Sequence, residues 1–247
     1  MTTDIQVLGS VRILYDTERL QPPTENLLLP DYWQARDAVQ AAFTGRGRAL
    51  AVETPAGPAV LRRYRRGGMV ARFNRQRYLY TGLESSRGFR EWRLLRAMYR
   101  AGLPVPIPLA ASCERRAGWY TAGLLTGRLE GTRTLADRLL ADGPDGADWS
   151  QVGRTLRRFH DFGVEHADLN ARNILLDPAG RVYLLDFDRG RRVAPKVVWR
   201  QGQLRRLRRS LEKFAGSLEP HWRRLMKGYL EHNEPELPAD KWGEFRK

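Results

Sequence analysis

The chain holds 247 residues, 42% of them hydrophobic, 29% charged and 10% aromatic, which excludes a disordered chain and leaves enough apolar side chains for a real core. Cys113 is the single cysteine, so a disulfide scaffold is excluded and a reducing compartment is expected. Forty-three basic residues, 38 of them arginine, against 28 acidic ones give a formal charge of +15, a field that concentrates nucleic acid, a phosphorylated glycolipid or an anionic membrane face.

No run approaches the ~20 apolar residues of a spanning helix, and the first six residues lack the basic start and apolar core of a secretory signal. An intracellular protein is expected. Residues 1–30, ending in Pro22-Pro23 and Leu27–Pro30, read as a strap of short extended pieces. Over Tyr32–Phe43, Trp33, Val39 and Ala42 allow a short helix, stopped at Thr44-Gly45-Arg46-Gly47. Ala49–Glu53 and Ala59–Tyr64 read as strands around a turn at Thr54–Pro58. Phe89, Trp92, Leu95 and Tyr99 share one face of a helix over Ser86–Arg100. The alternating prolines of Gly102–Pro108 forbid a helix there. A strand over Trp119–Leu125 and helices over Thr134–Leu140 and Trp149–His160 follow. Strands then return briefly, and the tail from Trp199 to Leu230 is helical. The expected organisation is a strap over 1–30, a β-rich lobe over 31–126 and a helix-rich lobe over 127–247, with a hinge near Thr126–Thr132.

The chemistry concentrates in His166-Ala-Asp-Leu-Asn-Ala-Arg-Asn-Ile-Leu-Leu-Asp177, followed by Arg181-Val-Tyr-Leu-Leu-Asp-Phe-Asp188. Two apolar strands flank Asp177-Pro178-Ala179-Gly180, a turn suited to a hairpin. If Pro178 faces Arg181, Asn173 lies directly opposite Asp186 at the open end, and paired positions sit about 5 Å apart. An amide oxygen and a carboxylate there form a cradle for a hard cation such as Mg²⁺. Asp168, five residues before Asn173, enters the same end and could orient a hydroxyl nucleophile.

These residues resemble a known family. Asp168 with Asn173, then Asp186-Phe187, is similar to the catalytic loop and metal-binding motif of protein-kinase-like phosphotransferases. The strings LRRYRRGGM, EWRLLRAM, GLPVPIP, HADLNARNILLD and LLDFDRG look like the bacterial family of 3-deoxy-D-manno-octulosonic acid (Kdo) kinases, which is similar to the heptose kinases of the lipopolysaccharide core. The resemblance implies an α+β, two-lobed protein-kinase-like fold, with a small β-rich N-lobe, a larger mainly helical C-lobe and ATP in the cleft between them. It implies that Gly45, Arg46 and Gly47 form the turn over the nucleotide phosphates. Arg62 would be the phosphate-pairing base of the third strand, with Glu91 as its acidic partner. Asn173 and Asp186 would be the Mg²⁺ ligands and Asp168 the catalytic carboxylate. The implied reaction moves phosphate from ATP to the 4-hydroxyl of Kdo on a lipid A precursor, at the cytoplasmic face of the inner membrane. The protein would be peripheral and monomeric, with an anionic membrane surface and no nucleic acid among its partners. A heptose kinase, or a catalytically inactive kinase-like module binding nucleic acid or membrane, is the alternative.

The departures carry information too. Arginine stands where protein kinases carry lysine, with Arg63 beside Arg62 as a second candidate, and the two residue types differ in geometry. Ala167 precedes Asp168, Asp188 follows Phe187 and no Ala-Pro-Glu comes after, which points away from a regulated protein kinase. Asp188 stays open between a structural and an assisting role. His160 and His166 read as structural, His166 as a backbone-bonded loop anchor. Cys113 reads as a small buried hydrophobe, and Asp161 and Asp177 as cap and turn residues. The arginines and aromatics of Leu61–Tyr80 fit either a nucleic-acid surface or a flap for an anionic glycolipid. The leucine face of Trp199–Phe214 fits either core packing or a membrane surface.

Overall fold

The computed structural model describes residues 2–43, 49–64, 77–194, 197–214 and 218–231. The chain divides into two compact units, Met1–Ala101 with Pro106–Leu129, and Gly102–Val105 with Glu130–Lys247.

The first unit is built on an antiparallel sheet. Strands β1 (Thr3–Leu8) and β2 (Val11–Asp16) form a hairpin, so the extended pieces of residues 1–30 are part of the sheet. Helix α1 is one turn, Pro30–Gln34, and the chain then enters β3 (Val39–Phe43). The helix expected over Tyr32–Phe43 is therefore corrected. The Trp33 indole donates to the Leu27 carbonyl at 2.8 Å, and Asp37 takes a left-handed backbone (φ 52°) that ends the helical run. Val39 and Ala42 stand three apart, a spacing that suits a helix, and pairing with β4 (Ala49–Thr54) overrides it with a strand. β4 turns into β5 (Gly57–Arg63) as the hairpin spacing predicts. After the short β6 (Tyr78–Leu79) comes α2 (Arg87–Arg100), then β7 (Pro108–Arg116) and β8 (Trp119–Gly127). The sheet order is β1-β2-β7-β8-β5-β4-β3, with β6 also on β8. Ile13, Leu28, Trp33, Leu61 and Leu125 anchor one core cluster.

Helix α2 buries Phe89, Trp92 and Leu95 as its spacing predicts, but Met98 takes the place expected of Tyr99. It lies close on the sheet because Gly88 has no side chain. A Cβ there would come 2.9 Å from the Gly123 carbonyl oxygen and 3.1 Å from that of Ser112. Cys113 is buried as expected, and burial pushes its thiol up to about 11.

In the second unit β9 (Arg133–Thr134) leads into α3 (Leu135–Asp142), capped by the Thr134 hydroxyl, which accepts from the Asp137 N–H at 3.0 Å. Asp148 caps α4 (Trp149–Asp161) in the same way, and the predicted face of Trp149, Val152, Leu156 and Phe159 is buried. Next come β10 (Val164–Glu165), β11 (Ile174–Leu176), β12 (Val182–Leu184) and β13 (Arg191–Arg192). The described part of the tail is helical as expected, α5 over Val197–Leu211 and α6 over Glu219–Leu230. The extended piece Gly102–Val105 belongs to this unit: the Leu184 N–H donates to the Pro104 carbonyl at 3.1 Å and Arg158 to that of Gly102 at 3.0 Å. His160 sits between α4 and α6 with Nδ1 2.7 Å from the Tyr229 hydroxyl. Burial, with Arg200 beside it, pushes its imidazole down to about 3, so His160 is a neutral structural residue. Asp161 ends α4 in ion pairs with Arg157 (2.7 Å) and Arg200 (3.2 Å).

Candidate active site

Strand β5 and helix α2 bring together the first pair of expected site residues. Glu91, only 2% exposed, receives the Arg62 guanidinium and, at 2.6 Å, the Tyr64 hydroxyl on the same carboxylate oxygen. Side chains alternate along a strand, so Arg62 and Tyr64 share the face under α2 while Arg63 points the other way. Its guanidinium meets the Leu28 carbonyl (3.3 Å) and the Thr121 hydroxyl (3.4 Å). Burial beside the Glu91 carboxylate pushes the Tyr64 phenol well up, which keeps it protonated as a donor. Sequence reasoning does not single out Tyr64 as a partner of Glu91, though its position two residues after Arg62 carries the signal. Gly45, Arg46 and Gly47 lie outside the described residues, as do Arg65, Arg66, Arg72 and Arg75 of the basic run. Tyr64 and Tyr78 from that run are buried, which withdraws their rings from base stacking.

The Arg62–Glu91 contact predicts a measurable effect. Glu91→Gln keeps the shape and removes the charge beside a largely buried guanidinium. The variant should fold, raise KM for ATP and lower kcat/KM about 10- to 100-fold, the scale of one charge-assisted hydrogen bond. Tyr64→Phe should cost less, since it removes a neutral donor. Steady-state kinetics at varied ATP checks both, and wild-type values for Glu91→Gln would remove the pair from the site.

The second group lies in the loop between β10 and β11, which is held from three sides. Helix α5 holds it first: the buried Gln203 side chain accepts from the His166 N–H at 3.0 Å, and the Ser210 hydroxyl accepts from the Ala171 N–H at 3.1 Å. The His166 ring holds it next. Its Nδ1 accepts from the Asp168 N–H (3.1 Å), so the proton sits on Nε2, which donates to the Leu185 carbonyl (2.8 Å). Burial lowers the His166 pKa, in agreement with this neutral form. The loop also closes on itself, because Asn170 and Asn173 both donate from Nδ2 to the Asp168 carbonyl, at 2.8 and 2.9 Å. Phe187, fully buried, stacks on Phe159 and packs against His166, with ring centroids 5.9 and 4.7 Å apart.

The hairpin differs from its expected register. Ile174 pairs with Leu184 and Leu176 with Val182, so Asn173 faces Leu185, whose N–H donates to its carbonyl at 2.9 Å. Asp186 is thus one position beyond the partner of Asn173. The cause is the turn: Asp177 caps it, accepting the Gly180 N–H on its carbonyl and the Arg181 N–H on its carboxylate, which sets Asp177 rather than Pro178 opposite Arg181. A one-residue slip normally reverses the face of every later side chain. Here Asp186 takes a left-handed backbone (φ 61°), which breaks the strand alternation at the residue expected to bind metal.

Asp168 and Asp186 are exposed and Asn173 is half-buried. The donors fit a hard cation, since Asn173 commits Nδ2 to the loop and keeps its amide oxygen as an acceptor. Among the described residues no group of three or more His, Cys, Asp or Glu side chains is placed to hold a metal ion. A cation held by one amide and one carboxylate, with phosphate and water completing its shell, is Mg²⁺-like. Asp168 also faces Arg206 of α5, with Oδ1 3.5 Å from Nη1. Neither Arg206 nor the two α5 anchors stand out in the sequence, although Gln203 on an otherwise leucine-lined face is a visible anomaly. Leu204, Leu207 and Leu211 of that face are buried. Asp188 is half-buried beyond Phe187.

An antiparallel sheet with an Arg–Glu pair, followed by a helical unit with this loop and hairpin, defines an α+β phosphotransferase of the protein-kinase type. The model of the lipopolysaccharide kinase (Kdo/WaaP) family matches residues 30–229, and the chain belongs to that family. It is therefore a kinase, with ATP as the implied donor. It is similar to the 3-deoxy-D-manno-octulosonic acid kinase of Stenotrophomonas maltophilia (strain R551-3), 45% identical over 208 residues, covering 84% of this chain and 83% of that protein. The enzyme of the same name from Xylella fastidiosa (strain M12) is 47% identical over 204 residues, covering 83% and 81%. A chain in the crystal structure of the yeast RNA Pol II CTD kinase CTDK-1 complex aligns with a TM-score of 0.38 and 14% identity, over 62% of this chain and 45% of that one.

Proposed function

We propose that the protein transfers the γ-phosphoryl group of ATP, with Mg²⁺, to the 4-hydroxyl of Kdo on a lipid A precursor during lipopolysaccharide core synthesis. The observation that carries this reading is the 45–47% identity, over more than four fifths of each chain, to two kinases named for that sugar acid. Arg62, fixed by Glu91, would pair the nucleotide phosphates. Asn173 and Asp186 would hold Mg²⁺, which neutralises phosphate charge when bound. Asp168 would orient the acceptor hydroxyl and take its proton as the oxygen bonds to the γ-phosphorus. The bond from that phosphorus to its bridging oxygen breaks, and ADP leaves with the electron pair. Catalysis of this kind is positioning and electrostatics, which fits a loop whose backbone is tied at His166, Asp168 and Ala171.

A lipid-linked acceptor places the work at the cytoplasmic face of the inner membrane, with the protein held there peripherally as a monomer. No helix among the described residues is long and apolar enough to cross a membrane. The charge of +15 favours approach to an anionic headgroup layer.

Mass spectrometry of a Kdo-bearing lipid A precursor, after incubation with protein, ATP and Mg²⁺ and beside a heptose-bearing acceptor, tests the reading. One added phosphate on the Kdo substrate alone is expected. Phosphate on heptose alone would make the protein a heptose kinase, and no transfer to either by folded protein would point to a binding module.

A further inference from the structure

Helix α5 follows the catalytic loop turn by turn: Gln203 meets His166, Arg206 meets Asp168 and Ser210 meets Ala171. Two of these contacts are structural by their chemistry, since each satisfies a backbone N–H. The third differs. Arg206 touches the carboxylate of Asp168, the two side chains are 51% and 53% exposed, and their closest approach is 3.5 Å. An exposed pair at that distance contributes little to holding the loop. The loop is already fixed by its two neighbours on the helix, so the fold does not need Arg206.

We propose that Arg206 is the acceptor-binding residue of this kinase, holding the carboxylate of the sugar acid while its hydroxyl lies on Asp168. The inference rests on the function proposed above, whose acceptor is by name an acid. A hydroxyl donating to Asp168 brings the rest of its sugar within reach of whatever flanks that carboxylate, and Arg206 flanks it. A guanidinium has five donors in a planar fork, and one nitrogen of Arg206 faces Asp168. The remaining edge matches a carboxylate, and a weak resting pair yields readily to a second anion. Arg205 and Arg209, exposed neighbours on the same helix, add positive potential without facing Asp168 in any described contact. A neutral sugar gains nothing from Arg206, so this residue discriminates between an acidic and a neutral acceptor.

The test combines a variant with a modified acceptor. Arg206→Gln should raise KM for the Kdo acceptor about 10- to 100-fold, the scale of a charge-assisted hydrogen bond, with KM for ATP unchanged. Arg206→Lys, which keeps the charge and loses the fork, should fall between. Wild-type protein on the acceptor's carboxylate methyl ester should lose the same factor, and Arg206→Gln should lose nothing more on that ester, because both changes remove one interaction. An unchanged acceptor KM, or losses that multiply, would overturn the proposal. A rise in KM for ATP would overturn it in favour of a nucleotide-phosphate contact, and a fall in kcat with acceptor KM unchanged in favour of mere positioning of Asp168. If wild-type protein leaves the Kdo acceptor unphosphorylated, the functional reading fails first and takes this inference with it.

Discussion

Asp168→Ala should lower kcat about 10²- to 10⁴-fold, the usual contribution of a positioned acid–base group, and leave the melting temperature within a degree or two of wild type. The two halves of this expectation rest on different atoms of one residue. The loop is held by the backbone of Asp168: its N–H donates to His166 Nδ1, and its carbonyl accepts from Asn170 and Asn173. Alanine keeps all three bonds. The side chain that is lost is half exposed and touches Arg206 at 3.5 Å, a pair worth about 0–1 kcal/mol. Asn173→Ala is a poorer probe, because it removes an expected metal ligand and a bond that shapes the loop together. Single-turnover phosphoryl transfer and a circular-dichroism melt on the same preparation check both halves. Turnover within threefold of wild type by folded Asp168→Ala would remove this carboxylate from the chemistry.

The parts of this fold that are legible in the sequence are those governed by local periodicity. The apolar spacing of Trp149, Val152, Leu156 and Phe159 places α4 within a residue of its ends, and the prolines of Gly102–Pro108 mark an extended segment. Glu91 is legible as an acidic residue within α2, and Arg62 as a base in β5. Their meeting depends on long-range packing, namely the close approach of Gly88 to the strand backbones at Ser112 and Gly123, which no local pattern encodes. The β11–β12 register differs by one residue from its expectation because strand composition alone does not say which residue closes the turn. Asp177 settles it by accepting two hydrogen bonds, one of them on its own carboxylate, and the backbone at Asp186 absorbs the slip. The segment over Val39–Phe43 misleads for a related reason, since the helical spacing of Val39 and Ala42 spans too short a run to decide and only the partner strand does. The contribution of α5 to the site is hidden because its contacts lie 37 and 39 residues beyond the loop positions they serve. Its basic residues look like a solvated face until one of them is seen against Asp168.

Gly153→Ala should destabilise the protein by about 3 kcal/mol or more, at or above the upper end for overpacking, although the same change usually favours a helix by about 1 kcal/mol. A Cβ at Gly153 would lie 2.0 Å from the Leu225 carbonyl oxygen and 2.7 Å from the Tyr229 nitrogen. Across the seam, a Cβ at Gly228 would lie 2.1 Å from the Ser150 carbonyl oxygen. The obstacles are backbone atoms of the facing helix, which no rotamer change can move aside, so α4 and α6 must separate. Separation strains the His160–Tyr229 hydrogen bond and the end of α4, from which the chain runs through β10 into His166 and Asp168. Stability and activity should therefore fall together, unlike in Asp168→Ala. For a chain of this size ~3 kcal/mol corresponds to a drop of roughly 6–12 °C in melting temperature. Gly202→Ala is the matched control: Gly202 lies in α5, and a Cβ there would meet nothing within 4 Å, so the intrinsic preference for alanine should act alone and leave the melt unchanged or slightly raised. Equal melting of the two variants would mean that helix propensity, and not the glycine-to-glycine crossing, governs this seam.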